Sequence, residues 1–160
     1  HGPSLSALTE QSRETARALV ARHGRSGLDY FKTYPDKELL LLPHQDAFVA
    51  YRRAGRYAVV LEGPVGPPGR LADGVRAFDV LCGQRGYQAL YYRVDADELP
   101  TFLGLGKKAL KIGQEGLVDL TTFSLEGRDR KSLRNALKRV EGGGFAVKIH
   151  EPPLRDGSLH

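Results

Sequence analysis

Two β-prone segments joined by only three residues constrain the fold more than any other feature of this sequence. Residues 47–52 and residues 56–62 are rich in Val, Tyr and Ala, and residues 53–55 between them end in glycine. So short a connection joins antiparallel neighbours, because parallel strands need a crossover of about a dozen residues or more. The sequence therefore predicts a β-hairpin, preceded by a strand in the run ELLLL at residues 38–42.

Helical periodicity flanks the hairpin on both sides. Apolar residues at roughly helical spacing before Gly24 predict a helix over residues 5–23. After the hairpin, the spacing i, i+4, i+7 and i+11 predicts a helix that ends near Gly83 or Gly86. The apolar stripe of this second helix consists of Leu71, Val75, Phe78 and Cys82.

The remaining segments predict further alternation of helix and strand. We expect a strand at residues 88–94, a short helix at residues 96–103 interrupted by Pro100, and a bent strand at residues 109–120. A helix rich in basic residues and a last strand at residues 145–150 follow. A hairpin followed by such alternation predicts an α/β (α+β) domain with a mixed sheet flanked by helices, and this order is similar to an acyltransferase sheet of the GNAT type.

Composition excludes several classes of protein. With 160 residues, 41% of them apolar and 27% charged, the chain has the composition of one globular domain and not of a collagen, a coiled coil or a disordered chain. The longest aliphatic run, residues 39–42, is far too short to span a bilayer. Cys82 has no partner for an internal disulfide. The lack of an initiator Met and of a signal peptide predicts a piece excised from a longer protein.

The positive charge of the chain is concentrated in one segment. The net charge is +5, and residues 127–139 hold six basic residues against one acidic residue. One helical face carries an apolar stripe and the opposite face offers cations, which predicts packing on one side and phosphate binding on the other. An ordinary solvated helix face remains the alternative. The candidate residues for binding the phosphates of a nucleic acid or of an acidic lipid surface are Arg128, Arg130, Lys131, Arg134, Lys138 and Arg139, and the stripe is Leu133, Ala136, Leu137 and Val140.

Residues 28–37, LDYFKTYPDK, mix three aromatic rings with charges and predict an ordered loop or single turn. This segment combines rings with cations, which suits a lipid headgroup or a nucleotide end. The cluster consists of Asp29, Tyr30, Phe31, Lys32, Tyr34 and Lys37. The alternative is a loop that packs its rings onto the sheet.

Other chemistries find little support in the sequence. The five histidines show no metal-ligand spacing and no GxSxG motif is present, so we expect neither a metal site nor a serine hydrolase. Cys82 lies on an apolar stripe, which predicts a structural role.

Residues 63–69, GPVGPPG, precede a helix as a phosphate loop would, but prolines have no N–H to donate to a phosphate. We expect a strand-to-helix corner and no cofactor.

Three long segments together resemble the cytosolic domain of the phosphatidylglycerol lysyltransferases, the multiple peptide resistance factor family. They are LDYFKTYPDKELLLL, FVAYRRAGRYAVVLEGPVGP, and YYRVDADELPTFLGLGKKALKIGQEGLVDLTTFSLEGRDRKSLRNALKRVEGGGF. The resemblance implies a tandem pair of GNAT-like lobes that transfers a lysyl or alanyl group from aminoacyl-tRNA to phosphatidylglycerol, a membrane lipid modification linked to antibiotic resistance. It also implies a location at the cytoplasmic face of the bacterial inner membrane.

Within that family the chain resembles the first lobe. The implied organisation is an N-terminal helix and linker at residues 1–27, a GNAT-like lobe at residues 28–151, and at residues 152–160 the start of a linker to a second lobe that this chain lacks. Catalytic residues stay unknown, because the family's main transfer residues are assigned to the second lobe. The residues that would line a lipid site or the wall of the acceptor cleft are Tyr30, Phe31, Lys32, Glu62, Gly63 and Gly66.

Two other functions remain open from the residues. One is an N-acyltransferase that uses acyl-coenzyme A, against which the prolines of the loop at residues 63–69 argue. The other is a non-catalytic module that binds RNA or an anionic membrane, for which the basic helix and the aromatic loop would suffice.

Overall fold

The structure is a computed structural model and describes residues 5–149, with side chains from residue 9. These residues form two compact units, one ending at Lys111 and the other starting at Ile112. The first unit holds the sheet and three α-helices. Its elements are α1 (Leu5–His23), a 3-10 turn (Asp29–Thr33), β1 (Glu38–Leu41), a 3-10 turn (Pro43–Gln45), β2 (Phe48–Ala54), β3 (Tyr57–Leu61), α2 (Leu71–Arg85), β4 (Gln88–Tyr92) and α3 (Leu99–Gly104).

The sheet has the order β1-β2-β3-β4 and mixes both kinds of pairing. β1, β2 and β3 pair antiparallel, whereas β3 and β4 are parallel and connected through α2. The predicted hairpin is confirmed, although its turn lies one residue later, because Ala54 pairs with Tyr57 and Gly55 takes a positive φ of 58°. The mixed sheet flanked by helices confirms the predicted fold class.

Helices cover both faces of the sheet. Side chains alternate along β2, so that Phe48 and Ala50 face α1 while Val49 and Tyr51 face α2. On the α2 side the core includes Phe78, which is fully buried. The periodicity that predicted α1 and α2 therefore also identified the helix faces that pack on the sheet.

Pro100 lies in the first turn of α3 and does not interrupt the helix. The helix runs over Leu99–Gly104, with the proline in its first turn, whereas the sequence predicted a helix from residue 96 with a break. The difference has a simple cause, since the first turn of a helix has no intrahelical use for the N–H that proline lacks.

The second unit contains a 3-10 turn (Arg128–Arg130) and α4 (Lys131–Gly142). The predicted strand at residues 109–120 is absent, and residues 145–149 form no strand either, while His150 lies outside the described residues. Apolar residues in both segments are exposed: Leu117 by 91% and Val147 by 90% of their surface. A β-prone run becomes a strand only where a neighbour pairs with its backbone, and here none does.

The apolar stripe of α4 is not buried, which corrects the prediction that it packs. Leu133, Leu137 and Val140 remain 42%, 43% and 47% exposed, and α4 contains no buried residue. Helical spacing predicts which residues of α4 form the apolar stripe, but the spacing does not predict whether another element covers that stripe. Residues 1–4 and the predicted linker at residues 152–160 lie outside the described residues.

No helix within residues 5–149 combines the length and the apolar character that a membrane span requires.

Candidate functional site

Two strained residues mark the edge of the sheet where the parallel strands end. Glu62 follows β3 and Arg93 follows β4, and both have a positive φ, 59° and 61°. The Glu62 N–H donates to the Tyr92 carbonyl at 2.6 Å, so the strands remain joined at this point. Ligands of α/β sheets bind at the carboxyl ends of parallel strands, and strained non-glycine residues concentrate at functional sites. This edge is the candidate functional site.

Lys32 lies buried beside that edge. Its ammonium is 2.6 Å from the Asp29 carboxylate and 3.2 Å from that of Glu62, and it donates to the Gly63 carbonyl at 3.2 Å. Only 3% of Lys32 is exposed. The structure thus brings together Lys32, Glu62 and Gly63, three of the residues proposed to line a lipid site or the acceptor cleft, and the cation is occupied by protein groups.

Asp29 is the second buried member of this cluster, and the sequence placed it in the candidate loop without a separate role. Burial would raise the pKa of its carboxyl, but the hydrogen bonds from Lys32 and from the backbone of Ser26 and Arg25 outweigh it and hold the pKa below the usual value. The two backbone N–H groups donate at 3.0 Å and 2.7 Å. Asp29 therefore carries a negative charge that fixes both Lys32 and the backbone of residues 25–26, which follow α1.

Glu62 has a second anchor besides Lys32. The Ser26 hydroxyl lies 3.0 Å from its Oε1 atom. The Glu62 side chain is 19% exposed. The Glu62 carboxylate is therefore held in one position at the edge of the sheet, and part of it remains exposed to solvent.

Glu98 completes the cluster from the start of α3. Its Oε1 atom pairs with Arg25, and 6% of the residue is exposed. Its Oε2 atom is buried, and among residues 9–149 nothing donates a hydrogen bond to it. A Cβ atom added to Gly63 would lie 3.4 Å from this oxygen. The backbone at Gly63 therefore lies close to the Glu98 carboxylate, and a side chain at this position would contact it.

The cluster as a whole carries a small excess of negative charge. Asp29, Glu62 and Glu98 contribute three carboxylates, against the two cations Lys32 and Arg25. Sequence reasoning missed Arg25 and Glu98, since 73 residues separate them and no local spacing connects them.

Arg13 holds the neighbouring loop from α1. Its guanidinium donates to the carbonyls of Tyr34, Pro35 and Lys37 at 2.7, 3.1 and 2.8 Å, with Thr33 at 3.4 Å. Only 9% of Arg13 is exposed. Sequence reasoning missed this residue, although a single arginine on the apolar side of a predicted helix was a usable signal.

The aromatic side chains of the loop point outward. Tyr30, Phe31 and Tyr34 are 65%, 45% and 40% exposed, so the alternative in which they pack onto the sheet is wrong. Their rings contact one another, with centroids 5.3 to 6.3 Å apart. The described surface thus includes one aromatic patch next to the Lys32 cluster.

A cavity of about 490 Å³ opens on the sheet face beside Lys32. Its floor is apolar, and cationic side chains lie around it. The lining residues are Lys32, Lys37, Ala50, Arg52, Arg53, Ala54, Val59, Leu61 and Tyr92. We call it the sheet-face cavity, and its size and mixed lining suit an amphipathic ligand.

The loop at residues 63–69 is a packed corner. Val65 bridges to Phe48 through two backbone hydrogen bonds of 2.9 Å. A Cβ atom on Gly66 would come within 2.5 Å of the Ala47 side chain, and one on Gly74 within 2.6 Å of Pro64. Gly66 therefore has a packing function, which agrees with the predicted strand-to-helix corner.

The predicted basic residues all lie in the second unit. Arg134 donates to the carbonyls of Leu125 and Gly127 at 2.5 and 2.7 Å, and the Arg130 guanidinium lies 5.6 Å from the Phe123 ring centre. The others are exposed and form no ion pair with a described residue. They are Arg128, Lys131, Lys138 and Arg139. Two of the six candidates thus have structural contacts and four present free charge.

The surroundings of Cys82 and the placement of metal-ligand types bear on two further chemistries. Burial raises the pKa of the Cys82 thiol, which keeps it protonated and agrees with a structural role. Across residues 5–149 no three His, Cys, Asp or Glu side chains are arranged to hold a metal ion.

Solved structures with this architecture are larger than the present chain. L-PGS from Bacillus licheniformis aligns with a TM-score of 0.74 and 26% identity, over 91% of this chain and 46% of that one. A DUF2156 C-terminal domain from Agrobacterium fabrum gives 0.72 and 28%, over 84% and 42%. These neighbours support the GNAT-like fold that the order of elements predicted.

Curated relatives agree with this likeness. Proteins named phosphatidylglycerol lysyltransferase from Staphylococcus epidermidis and Staphylococcus aureus are each 27% identical, over 86% and 88% of this chain. The chain spans about a sixth of their length, 16% and 17%. Residues 17–158 match the family described as phosphatidylglycerol lysyltransferase, C-terminal. Since that match covers nearly the whole sequence, the chain belongs to the phosphatidylglycerol lysyltransferase C-terminal family.

Proposed function

We propose that this chain is part of an aminoacyl-tRNA-dependent transferase that makes lysyl- or alanyl-phosphatidylglycerol. The observation that carries the proposal is the family match over residues 17–158. Relatives that carry the name phosphatidylglycerol lysyltransferase support it over an acyl-coenzyme A enzyme or a purely binding module. The partners are the charged transfer RNA, an anionic phospholipid and a second GNAT-like lobe, at the cytoplasmic face of the bacterial inner membrane.

The proposed reaction is a transesterification. A glycerol hydroxyl of the lipid attacks the ester carbonyl of the aminoacyl-tRNA, a new ester bond forms, and the terminal ribose hydroxyl of the RNA leaves with a proton. The protein contributes orientation of the two substrates and stabilisation of the oxyanion that develops on the carbonyl. This chemistry requires neither a metal nor an organic cofactor.

Within this chain the proposed roles are binding and positioning. The sheet-face cavity offers an apolar floor with Arg52, whose side chain is 70% exposed, at its border, which suits a lipid with an anionic headgroup. Glu62, Gly63 and Gly66 shape the adjacent wall, and Lys32 fixes Glu62. The exposed cations of α4 would contact the phosphates of the transfer RNA.

The acyl-coenzyme A alternative has a specific obstacle in this chain. Pro64, Pro67 and Pro68 occupy the connection before α2 and offer no N–H groups to a pyrophosphate. A titration with coenzyme A tests the alternative directly, and saturable binding would favour it over the RNA-dependent reaction.

The test compares this chain with a longer protein that contains it. Each is incubated with lysyl-tRNA, and separately with alanyl-tRNA, in the presence of phosphatidylglycerol vesicles, and aminoacylated lipid is resolved by thin-layer chromatography. We expect product from the longer protein and none from the 160 residues alone, because the second lobe supplies the transfer residues. Robust product from the short chain would contradict the two-lobe proposal, and no product from either would contradict the function.

A further inference from the structure

The aromatic loop, defined as residues 29–37, presents an aromatic surface without a free cation. Lys32 is enclosed by carboxylates, and Lys37 lies 2.6 Å from the neighbouring Asp36. The three exposed rings are Tyr30, Phe31 and Tyr34. A loop of this kind has surface to bury but no free charge with which to hold a phosphate.

The loop is also held in one conformation before any partner arrives. Arg13 fixes its C-terminal half through four backbone carbonyls, and Asp29 fixes its N-terminal end through two backbone N–H groups. A rigid loop loses little conformational entropy when its surface is buried. Exposed rings on a rigid support are what an interaction surface requires.

The arrangement of the rings favours one kind of partner. Tyr30 meets Phe31 and Tyr34 edge to face, with interplanar angles of 73° and 79°. In such pairs the edge of one ring covers a face of the other, whereas stacking on a nucleotide base needs an open face. Tyrosine combines an apolar ring with a polar hydroxyl, which matches the boundary between lipid headgroups and acyl chains.

From these observations we propose that the aromatic loop is a membrane-docking element that inserts Tyr30, Phe31 and Tyr34 into the interfacial zone of a phospholipid bilayer. The insertion depends on ring burial and not on charge. It therefore occurs on neutral as well as anionic bilayers and persists at high salt. The proposal goes beyond the transfer reaction, since it holds whichever group is transferred.

The chain contains no tryptophan, which permits a direct test with one reporter. In the Tyr30→Trp variant of the 160-residue chain, tryptophan emission is recorded with phosphatidylcholine vesicles and with vesicles that also contain phosphatidylglycerol. We expect a shift to shorter wavelength and quenching by brominated acyl chains in both, at low and at high salt. Unchanged emission on both vesicles would overturn the proposal, as would a shift on anionic vesicles that salt abolishes.

A sedimentation assay supplies the matched comparison. The triple variant Tyr30→Ser, Phe31→Ser, Tyr34→Ser should lower the vesicle partition coefficient by roughly tenfold or more, because it removes all three interfacial rings. The control is Leu103→Ser, which removes a 49% exposed apolar side chain from α3 and should leave partitioning unchanged. Circular dichroism checks the fold of each variant, and the Tyr30→Trp reporter decides the matter if the triple variant misfolds.

The same reporter examines the nucleic-acid alternative. Addition of a single-stranded RNA oligonucleotide should leave the emission of the Tyr30→Trp variant unchanged. Quenching by RNA together with no response to vesicles would overturn membrane docking in favour of base stacking. Loss of lipid aminoacylation by the longer protein would contradict the proposed function and leave the docking result untouched.

Discussion

The Lys32 ammonium lies 2.6 Å from the Asp29 carboxylate, with 4% and 7% of the two side chains exposed. Lys37, five residues later, makes an ion pair of the same length with Asp36, but there 21% and 43% of the side chains are exposed. One loop thus contains two lysine–aspartate pairs of equal length in different surroundings. Desolvation, and not distance, separates their contributions to stability.

Lys32→Met should therefore destabilise the chain by about 3–5 kcal/mol, because it leaves the charge of Asp29 buried without its partner. Lys37→Met removes the exposed pair and should barely change the midpoint of unfolding. Urea unfolding at pH 7, followed by circular dichroism, measures both. Equal effects of the two substitutions would mean that the Lys32 cluster is open to water.

The pH dependence of stability tests the charge on Asp29. Its folded-state pKa is lowered from 3.8, so the ionised carboxylate stabilises the fold above that value, and this contribution disappears as the pH falls through the lower folded-state pKa. The difference in unfolding free energy between the wild type and Asp29→Asn should be constant from pH 7 to about pH 5 and shrink below about pH 4. Other carboxylates titrate in both proteins and cancel. A difference that stays constant down to pH 2 would show that folding does not lower the pKa of Asp29.

The sequence predicted the sheet because its signals are local. A three-residue connection predicts the hairpin at residues 47–62. A regular apolar stripe predicts α2, which ends before Gly86, a residue in the left-handed conformation. The predicted strand at residues 109–120 is wrong, and the predicted strand at residues 145–150 is wrong over residues 145–149. A strand also depends on a partner strand, which a local sequence pattern does not reveal.

The candidate site was predictable only in part. Lys32, Glu62 and Gly63 could be selected from their loops, and the structure does place them together. Their partners could not be selected, because Glu98 comes from a distant element and is recognisable only when the chain is folded. The burial of Lys32 likewise follows from three-dimensional packing, and it changes the interpretation of this residue from a ligand-binding cation to a fixed support.

Two glycines of α2 should respond to alanine in opposite directions. A Cβ atom on Gly74 would lie 2.6 Å from Pro64, whereas one on Gly83 would meet nothing within 4 Å. Gly74→Ala should destabilise the chain by about 1–3 kcal/mol through overpacking of the corner. Gly83→Ala should stabilise it by roughly 0.5–1 kcal/mol, because alanine is the better helix former.

Thermal unfolding of the two alanine variants measures both effects. If Gly74→Ala were neutral, the loop at residues 63–69 would be free to move away from α2, and its description as a packed corner would be wrong. Gly83→Ala reports only on helix propensity and serves as the internal control.

The proposed RNA contact of α4 can be tested with residues whose side chains form no ion pair within residues 9–149. Lys131, Lys138 and Arg139 are exposed, whereas Arg134 holds the carbonyls of Leu125 and Gly127. The triple variant Lys131→Gln, Lys138→Gln, Arg139→Gln should keep the unfolding midpoint and weaken binding to transfer RNA. For a single-stranded acceptor end, the slope of log affinity against log salt should become shallower by roughly 0.7 for each lost contact, about two in all.

Arg134→Gln is the matched comparison on the same helix. It removes one cation but also two backbone hydrogen bonds, so we expect it to lower the stability of the segment between Leu125 and α4 as well as affinity. Fluorescence anisotropy with labelled transfer RNA at several salt concentrations measures the slopes. An unaltered slope in the triple variant would identify α4 as an ordinary solvated helix, because phosphate contacts cannot be lost without a change in the number of released counterions.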